Sequence, residues 1–175
     1  MLARRLDVTD PASIDQAAAD LNRRYGRLDV LVNNAAIHHD TWQHASTADL
    51  QVVREALEVK LPGAWQTSLT LLPLLRASGH GRIVNVSSDA GRCQHGRRTP
   101  AYNVSKAALN ALTRMLAGEL RRDRIPVNAV CPGWVAMGRG GRTFVWRAGT
   151  HDAGPNYIPA LLGTQVRLPW ARDHG

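Results

Sequence analysis

Residues 6–36, "LDVTDPASIDQAAADLNRRYGRLDVLVNNAA", hold the pattern that decides the fold. Asp10 is a favourable N-cap, and Pro11 suits the first helical position because its missing N–H costs nothing there. Gly26 is a typical helix end. The apolar face of the helix between them is predicted to consist of Ile14, Ala17, Ala18, Leu21 and Tyr25. In residues 28–35, apolar residues do not alternate cleanly with polar ones, which predicts a strand buried on both faces.

The rest of the chain repeats this alternation of strand and helix. A second helix is predicted from Ser46 or Thr47 through "LTLLPLL", with a stripe made of Leu50, Val53, Leu57, Leu61 and Trp65. Strands are predicted at 81–88 and 125–133. Between them, Thr99 and Pro100 open a helix over 99–120 whose inner side carries Leu109, Leu112, Leu116 and Leu120. The order predicts an α/β chain with a partial doubly wound (Rossmann-like) parallel sheet and helices on both faces.

Composition narrows the class of protein. The 175 residues carry a net charge of +8, but the arginines are scattered and only 5% of residues are aromatic, so no nucleic-acid function is expected. No apolar run approaches the roughly 18 residues of a membrane span. Cys93 and Cys131 are too few for a disulfide framework, which favours a reduced, cytoplasmic protein. We expect one domain over 1–137 and a loop-rich or disordered tail over 138–175, which holds many glycines and no sustained period.

The chemistry is predicted to lie at the carboxyl ends of the strands, where ligands bind in parallel sheets. These ends read "NNAA", "SSDAG" and "PG". In "YNVSK", Tyr102 and Lys106 stand one helical turn apart, and an ammonium group near a phenol stabilises the phenolate. Such a phenol is suited to general acid–base work, and Ser88 would hold a substrate carbonyl against it. The alternative is a surface lysine beside a half-buried tyrosine.

Five segments occur in one order: "LDVTD", "LDVLVNNAA", "LLPLLRASGHGRIVNVSSDAG", "YNVSK" and "VNAVCPGW". Together, over residues 6 to about 136, they resemble the short-chain dehydrogenase/reductase family, and in particular its bacterial carbonyl-reductase-like branch. The resemblance implies that Ser88 orients the carbonyl and that Tyr102 transfers the proton. It further implies that Lys106 assists Tyr102 and binds the nicotinamide ribose. The implied reaction is hydride transfer between NADP or NAD and a carbonyl or secondary alcohol.

The resemblance also implies residues that bind the cofactor. Asp7 and Val8 match the pair that lies against the adenine, Asn33, Asn34 and Ala35 match the motif that steadies the sheet, and Pro132 and Gly133 match the turn near the nicotinamide. Each has a simpler alternative: a neighbour of a helix cap for Asp7, a strand-end turn for the asparagines, and a loop breaker for Pro132 and Gly133. The group His38, His39 and His44 lacks partners at ligand spacing, so no metal site is expected.

Three features depart from the family's pattern. No G-x-G-x-x-G occurs in residues 1–60, so the chain is expected to begin after the glycine-rich βαβ unit that cradles phosphate, leaving an exposed sheet edge. Lys60 stands where the family has an asparagine, and an ammonium only donates hydrogen bonds, so we expect weaker proton supply. Pro62 would disrupt a helix that is not already bent there. Met137 stands where the family has a threonine.

These patterns leave two functions open. The first is an NAD- or NADP-dependent oxidoreductase acting on a small carbonyl or alcohol. The second is a truncated, non-catalytic relative that binds cofactor poorly. By the same resemblance, helices over 47–75 and 99–120 would pair two copies of the chain. Cofactor preference is not predicted, because the residue that selects NAD or NADP belongs to the glycine-rich unit that the chain is expected to lack. Substrate is not predicted either, because the loop that shapes its pocket lies in the tail without recognisable pattern.

Overall fold

The computed structural model describes residues 5–37, 43–92 and 99–132, together with the backbone of residues 135–137, 144–146 and 157–159. Its α-helices are α1 (Pro11–Tyr25), α2 (Leu50–Lys60), α3 (Pro62–Ser78) and α4 (Pro100–Glu119). Its strands are β1 (Val30–Asn33), β2 (Arg82–Val86), β3 (Val127–Cys131), β4 (Val135–Met137), β5 (Phe144–Trp146) and β6 (Tyr157–Pro159). Two short 3-10 helices cover Ala45–Thr47 and Asp89–Arg92.

Helix α1 begins and ends where the sequence predicts. The Asp10 side chain accepts a hydrogen bond from the Ala12 N–H at 3.0 Å, and Pro11 occupies the first turn. Gly26 takes the left-handed conformation with φ of 64°, which glycine adopts without strain. Tyr25, however, is 62% exposed, so its predicted place on the apolar face is wrong. It is the last helical residue, beyond the part of α1 that reaches the core.

The predicted second helix is in fact two helices. Asp49, rather than Ser46 or Thr47, caps α2 by accepting a hydrogen bond from the Gln51 N–H at 2.8 Å. Helix α2 ends at Lys60, and Pro62 then takes the first turn of α3, where a proline needs no N–H donor. The single stripe is therefore wrong at its ends, because Leu50, the first residue of α2, and Trp65, in the first turn of α3, are exposed.

The predicted α/β fold with an open, partial parallel sheet is confirmed. Strands β1, β2, β3 and β6 pair in that order, all parallel. Strands β4 and β5 form a separate antiparallel pair. The carboxyl ends of β1, β2 and β3 therefore meet at one edge of the sheet, which is where the predicted polar segments follow them.

One face of this sheet carries the core. Leu31, Ile83 and Val127 occupy paired positions on the three strands and are buried against leucines of α3 and α4. Those leucines include the predicted inner side of the last helix, namely Leu109, Leu112, Leu116 and Leu120.

The opposite face of β1 is open in the part of the chain that the structure describes. Val30 is 45% exposed and Val32 is 53% exposed, so the predicted burial of this strand on both faces is wrong. The described helices that contact β1 do so on the side of Leu31. None of the described helices combines the length and apolarity needed to cross a membrane. Most of 138–175 lies outside the described residues, so the domain boundary stays a prediction. The cytoplasmic location also stays a prediction.

Candidate active site

Tyr102 and Lys106 lie on the first two turns of α4, above the carboxyl end of β2. Lys106 is only 4% exposed, and its Nζ donates a hydrogen bond to the Val86 carbonyl at 2.5 Å. The same Nζ lies 5.7 Å from the centroid of the Tyr102 ring. The alternative of a surface lysine is therefore wrong, and a buried amine instead stands beside the phenol at the sheet edge.

Burial changes the acidity of Lys106. Removal from water, which is the largest cause, and the positive charge of Lys60 together lower the pKa of this amine from 10.5 to about 8. Cys131, at the end of β3, has the opposite effect on the pKa of Lys106. The amine consequently exchanges its proton close to neutral pH, unlike an exposed lysine.

Lys60 occupies the same site from a different element. It is the last residue of α2, is 1% exposed, and donates a hydrogen bond from Nζ to the Ile37 carbonyl at 2.5 Å. Its Nζ lies 5.3 Å from the centroid of the Tyr102 ring. Two buried ammonium groups therefore approach one phenol ring.

Ser88 follows β2 by two residues and opens the short 3-10 helix that faces α4. Its Oγ accepts a hydrogen bond from the Ala90 N–H at 3.2 Å, and its carbonyl accepts one from the Gly91 N–H at 3.0 Å. A Cβ on Gly91 would lie 2.9 Å from the carbonyl oxygen of Lys106 and 2.7 Å from Asn110 Nδ2. The Ser88 segment is thus held directly against the helix that carries Tyr102 and Lys106.

Asn33 belongs to a buried network of polar side chains. Its Nδ2 donates to Asn85 Oδ1 at 2.8 Å and to Ser68 Oγ at 3.0 Å. Asn85 in turn donates from Nδ2 to Thr113 Oγ1 at 2.8 Å, which ties β1 to β2 and α4. Asn33 is therefore more than a strand-end turn, because its side chain joins neighbouring elements.

Sequence reasoning missed several members of this polar layer. Asn85 interrupts the apolar strand "RIVNV", and Thr113 sits among the leucines on the inner side of α4. A polar residue at an inner position of either element was the available signal. Ser87 was not predicted either. Its Oγ donates to Asn110 Oδ1 at 2.6 Å, which secures the end of β2 to α4.

Asp7 and Val8 lie at the entry to α1. Asp7 is exposed, and its pKa is lowered by hydrogen bonds that the hydroxyl and then the backbone N–H of Thr9 donate to its carboxylate. Val8 packs against the first turn of α3, where a Cβ on Gly63 would lie 2.9 Å from Val8 Cγ2. The cap of α1 is Asp10, and Asp7 lies in the turn that precedes it.

The remaining predicted residues either follow the same strand ends or lie outside the residues that the structure describes. Asn34 and Ala35 are exposed directly after β1, and Pro132 is partly exposed directly after β3. Gly133, His38 and His39 lie outside the described residues. Within the described ranges, no group of three or more His, Cys, Asp or Glu side chains is arranged to hold a metal ion.

Comparison with known proteins assigns this arrangement to one family. The family model described as "short chain dehydrogenase" matches residues 1–144. Oxidoreductase UcpA of Escherichia coli (strain K12) is 36% identical over 130 residues, which cover 74% of this chain and 48% of that protein. The short-chain reductase protein NovJ of Streptomyces niveus is 38% identical over 130 residues, with the same coverage of 74% and 48%.

Solved structures agree with the sequence comparison. A short-chain dehydrogenase from Streptomyces avermitilis superposes with a TM-score of 0.71 at 37% identity, covering 80% of this chain and 50% of that one. A short-chain dehydrogenase/reductase from Burkholderia xenovorans gives a TM-score of 0.69 at 32% identity, covering 75% of this chain and 51% of that one. The chain spans about half the length of the relatives it matches.

Proposed function

Because the chain belongs to the short-chain dehydrogenase/reductase family, we propose that it is an oxidoreductase whose active centre is formed by Ser88, Tyr102 and Lys106. The reaction is hydride transfer between a nicotinamide cofactor and a small carbonyl compound or secondary alcohol. One observation carries the proposal: the buried amine of Lys106 lies 5.7 Å from the ring of Tyr102 at the carboxyl end of β2. An isolated Tyr–Lys spacing on an exposed helix would not support it.

The residues divide the work as follows. The nicotinamide supplies or accepts the hydride at the substrate carbon. In the reducing direction, the Tyr102 hydroxyl gives its proton to the carbonyl oxygen, and in the oxidising direction it takes the proton back from the alcohol. The ammonium of Lys106 stabilises the phenolate between these steps, and the hydroxyl of Ser88 donates a hydrogen bond to the substrate oxygen.

The described residues fit the nicotinamide half of such a cofactor. An ammonium has three donors, and the Val86 carbonyl uses one of those on Lys106, so hydroxyls of a ribose are suitable further partners. Asp7 and Val8 are proposed to contact the adenine, with Asn33, Asn34 and Ala35 supporting the sheet beside the cofactor. Pro132 and Gly133 are proposed to lie near the carboxamide. NAD and NADP both satisfy these contacts.

We propose a non-catalytic relative that binds cofactor poorly as the alternative function. None of the described helices opens with a glycine-rich turn, which is the usual cradle for a pyrophosphate. A non-catalytic relative that binds cofactor poorly would have this property. Such a protein would act through association with another chain, with the helices over 47–75 and 99–120 as the proposed surface.

Calorimetric titration of the 175-residue chain with NADH and NADPH separates the two functions. Saturable binding tighter than about 0.1 mM, within the usual range for enzyme ligands, supports the oxidoreductase. Absence of binding for both nucleotides supports the non-catalytic relative. The comparison of the two nucleotides also reports cofactor preference.

A further inference from the structure

Lysine is almost absent from this chain, yet both lysines converge on one side chain. The sequence holds 22 basic residues of the Lys and Arg types, and Lys60 and Lys106 are its only lysines. Their Nζ atoms lie 5.3 Å and 5.7 Å from the centroid of the same ring, that of Tyr102. A structural role for a buried amine does not require a second amine at the same ring.

Each ammonium is fixed by a backbone carbonyl that follows or ends a strand. Lys60, at the end of α2, donates to the Ile37 carbonyl beyond β1, and Lys106, on α4, donates to the Val86 carbonyl at the end of β2. Both bonds measure 2.5 Å, and the two side chains are 1% and 4% exposed. The amines therefore hold their positions without the freedom of surface lysines.

Two like charges in a buried site repel each other strongly, because little water is present to screen them. Four elements present groups to Lys106: Lys60 from α2, Tyr102 from α4, the Val86 carbonyl from β2 and Cys131 from β3. Burial makes the largest contribution to the lowered pKa of Lys106, Lys60 makes the second, and Cys131 opposes both. Lys60 is thus the neighbouring charged side chain that lowers the pKa of Lys106 most.

We propose that Lys60 is a positioning residue of this site, which acts through Lys106 by disfavouring its protonated form beside the shared phenol ring. The inference rests on the proposed function and deepens it. Once Tyr102 has given its proton to the substrate oxygen, Lys106 passes a proton to the phenolate, directly or through one water. The neutral amine then regains a proton from solvent. Lys60 eases the first of these transfers, so it assists proton supply where the sequence alone predicted that it would weaken it.

The test measures the titration of Lys106 without cofactor or substrate. In the chain labelled with ¹³C-lysine, only two side-chain Cε resonances are present, and Lys60→Gln identifies which belongs to Lys106. The Cε shift follows the protonation of Nζ as pH is varied. In the unmodified chain, the Lys106 midpoint is expected at about 8. In Lys60→Gln, which keeps a donor for the Ile37 carbonyl but removes the charge, the midpoint moves upward, toward 10.5.

Two further variants separate charge from structure. Lys60→Arg retains the charge and is expected to keep the midpoint low. Arg54→Met removes an exposed cation from the same helix α2 and is expected to leave the midpoint at about 8. An unchanged Lys106 midpoint in folded Lys60→Gln would overturn the proposal. If Lys60→Gln does not fold, Lys60→Met serves instead, with the same upward shift expected and an unchanged midpoint again contradicting it.

A kinetic measurement ties the titration to the proposed reaction. Where the chain shows hydride transfer, the limb of the kcat profile near pH 8 is expected to move upward in Lys60→Gln together with the resonance. A limb that stays in place while the resonance moves would contradict the role of Lys106 in proton supply. Absence of turnover would count against the proposed function alone, because the resonance is read without turnover.

Discussion

At Lys106, a single amine combines burial, a fixed hydrogen bond and a neighbouring cation. The spacing of "YNVSK" predicts that it shares a helix face with Tyr102, and the structure brings the two together. Its burial was not predictable, because it depends on how the ends of α2 and β2 close over α4. The burial of Lys60 was not predictable either. Its position in the sequence departs from the family's pattern, but this does not reveal that its Nζ lies above the ring of Tyr102.

The acidity of Lys106 predicts how stability depends on pH. The folded chain has a lowered pKa of about 8 against 10.5 when unfolded, so between these values the unfolded chain binds more protons. The free energy of unfolding therefore gains a contribution as pH rises through this window, whereas below pH 8 the penalty for burying the charge is complete. In Lys106→Met this contribution, of about 3 kcal/mol, disappears.

Urea unfolding at several values between pH 7.5 and 10.5 measures this difference. The control is Arg54→Met, which is expected to keep the slope of the unmodified chain. Equal slopes in Lys106→Met and the unmodified chain would show that Lys106 titrates normally in the folded state.

The polar layer around Asn85 gives a second prediction at single residues. Thr113→Val removes the acceptor for Asn85 Nδ2 in a fully buried position, and an unsatisfied buried donor costs about 1–3 kcal/mol. Thr70→Val makes the same change on α3, where Thr70 is only partly buried, and is expected to cost under about 0.5 kcal/mol. Thermal and urea unfolding compare the two variants. Equal losses would contradict a special role for this layer.

Among the elements, the helices and strands follow the apolar pattern of the sequence, whereas their breaks do not. Asp10, Pro11 and Gly26 mark α1 correctly because a cap is a local property of the chain. Pro62 alone does not predict the break after Lys60, since a proline can either kink one helix or begin another. The sequence likewise predicts that β1 and β2 are parallel strands of one sheet. It does not predict which residues of the two strands pair.

Two glycine substitutions, one in the 3-10 helix Asp89–Arg92 and one in α4, are predicted to have opposite effects on stability. Gly91→Ala places a Cβ against the backbone of Lys106 and the side chain of Asn110, so it is expected to destabilise the chain by about 1–3 kcal/mol. Gly118→Ala, on α4, meets nothing within 4 Å and is expected to stabilise the chain by about 0.5–1 kcal/mol. Thermal unfolding of both variants measures the contrast. A neutral Gly91→Ala would show that the Ser88 segment does not press on α4.

For the molecule as a whole, the sequence predicts the order of elements but not the uneven covering of the sheet. Strand β1 reads as apolar throughout, and this pattern does not reveal which side chains meet helices. In the structure Leu31 enters the core, whereas Val30 and Val32 are exposed on the other face. Exposed apolar strands favour association between chains.

This surface predicts self-association of the 175-residue chain. Val32→Lys places a charge on the exposed face and is expected to raise the concentration at which aggregates form, as measured by light scattering. Leu50→Lys, at an exposed apolar position on α2, is the control and is expected to have a smaller effect. If the two variants behave alike, net charge rather than the β1 face governs association.

We propose that Tyr102 transfers the proton in a nicotinamide-dependent reaction. The most direct test follows the absorbance of reduced nicotinamide with a panel of aldehydes and ketones, comparing the unmodified chain with Tyr102→Phe and Tyr25→Phe. We predict that turnover falls by about 10²–10⁴-fold in Tyr102→Phe. It is unchanged in Tyr25→Phe, whose phenol is 62% exposed. Equal turnover in Tyr102→Phe and the unmodified chain would contradict the claim.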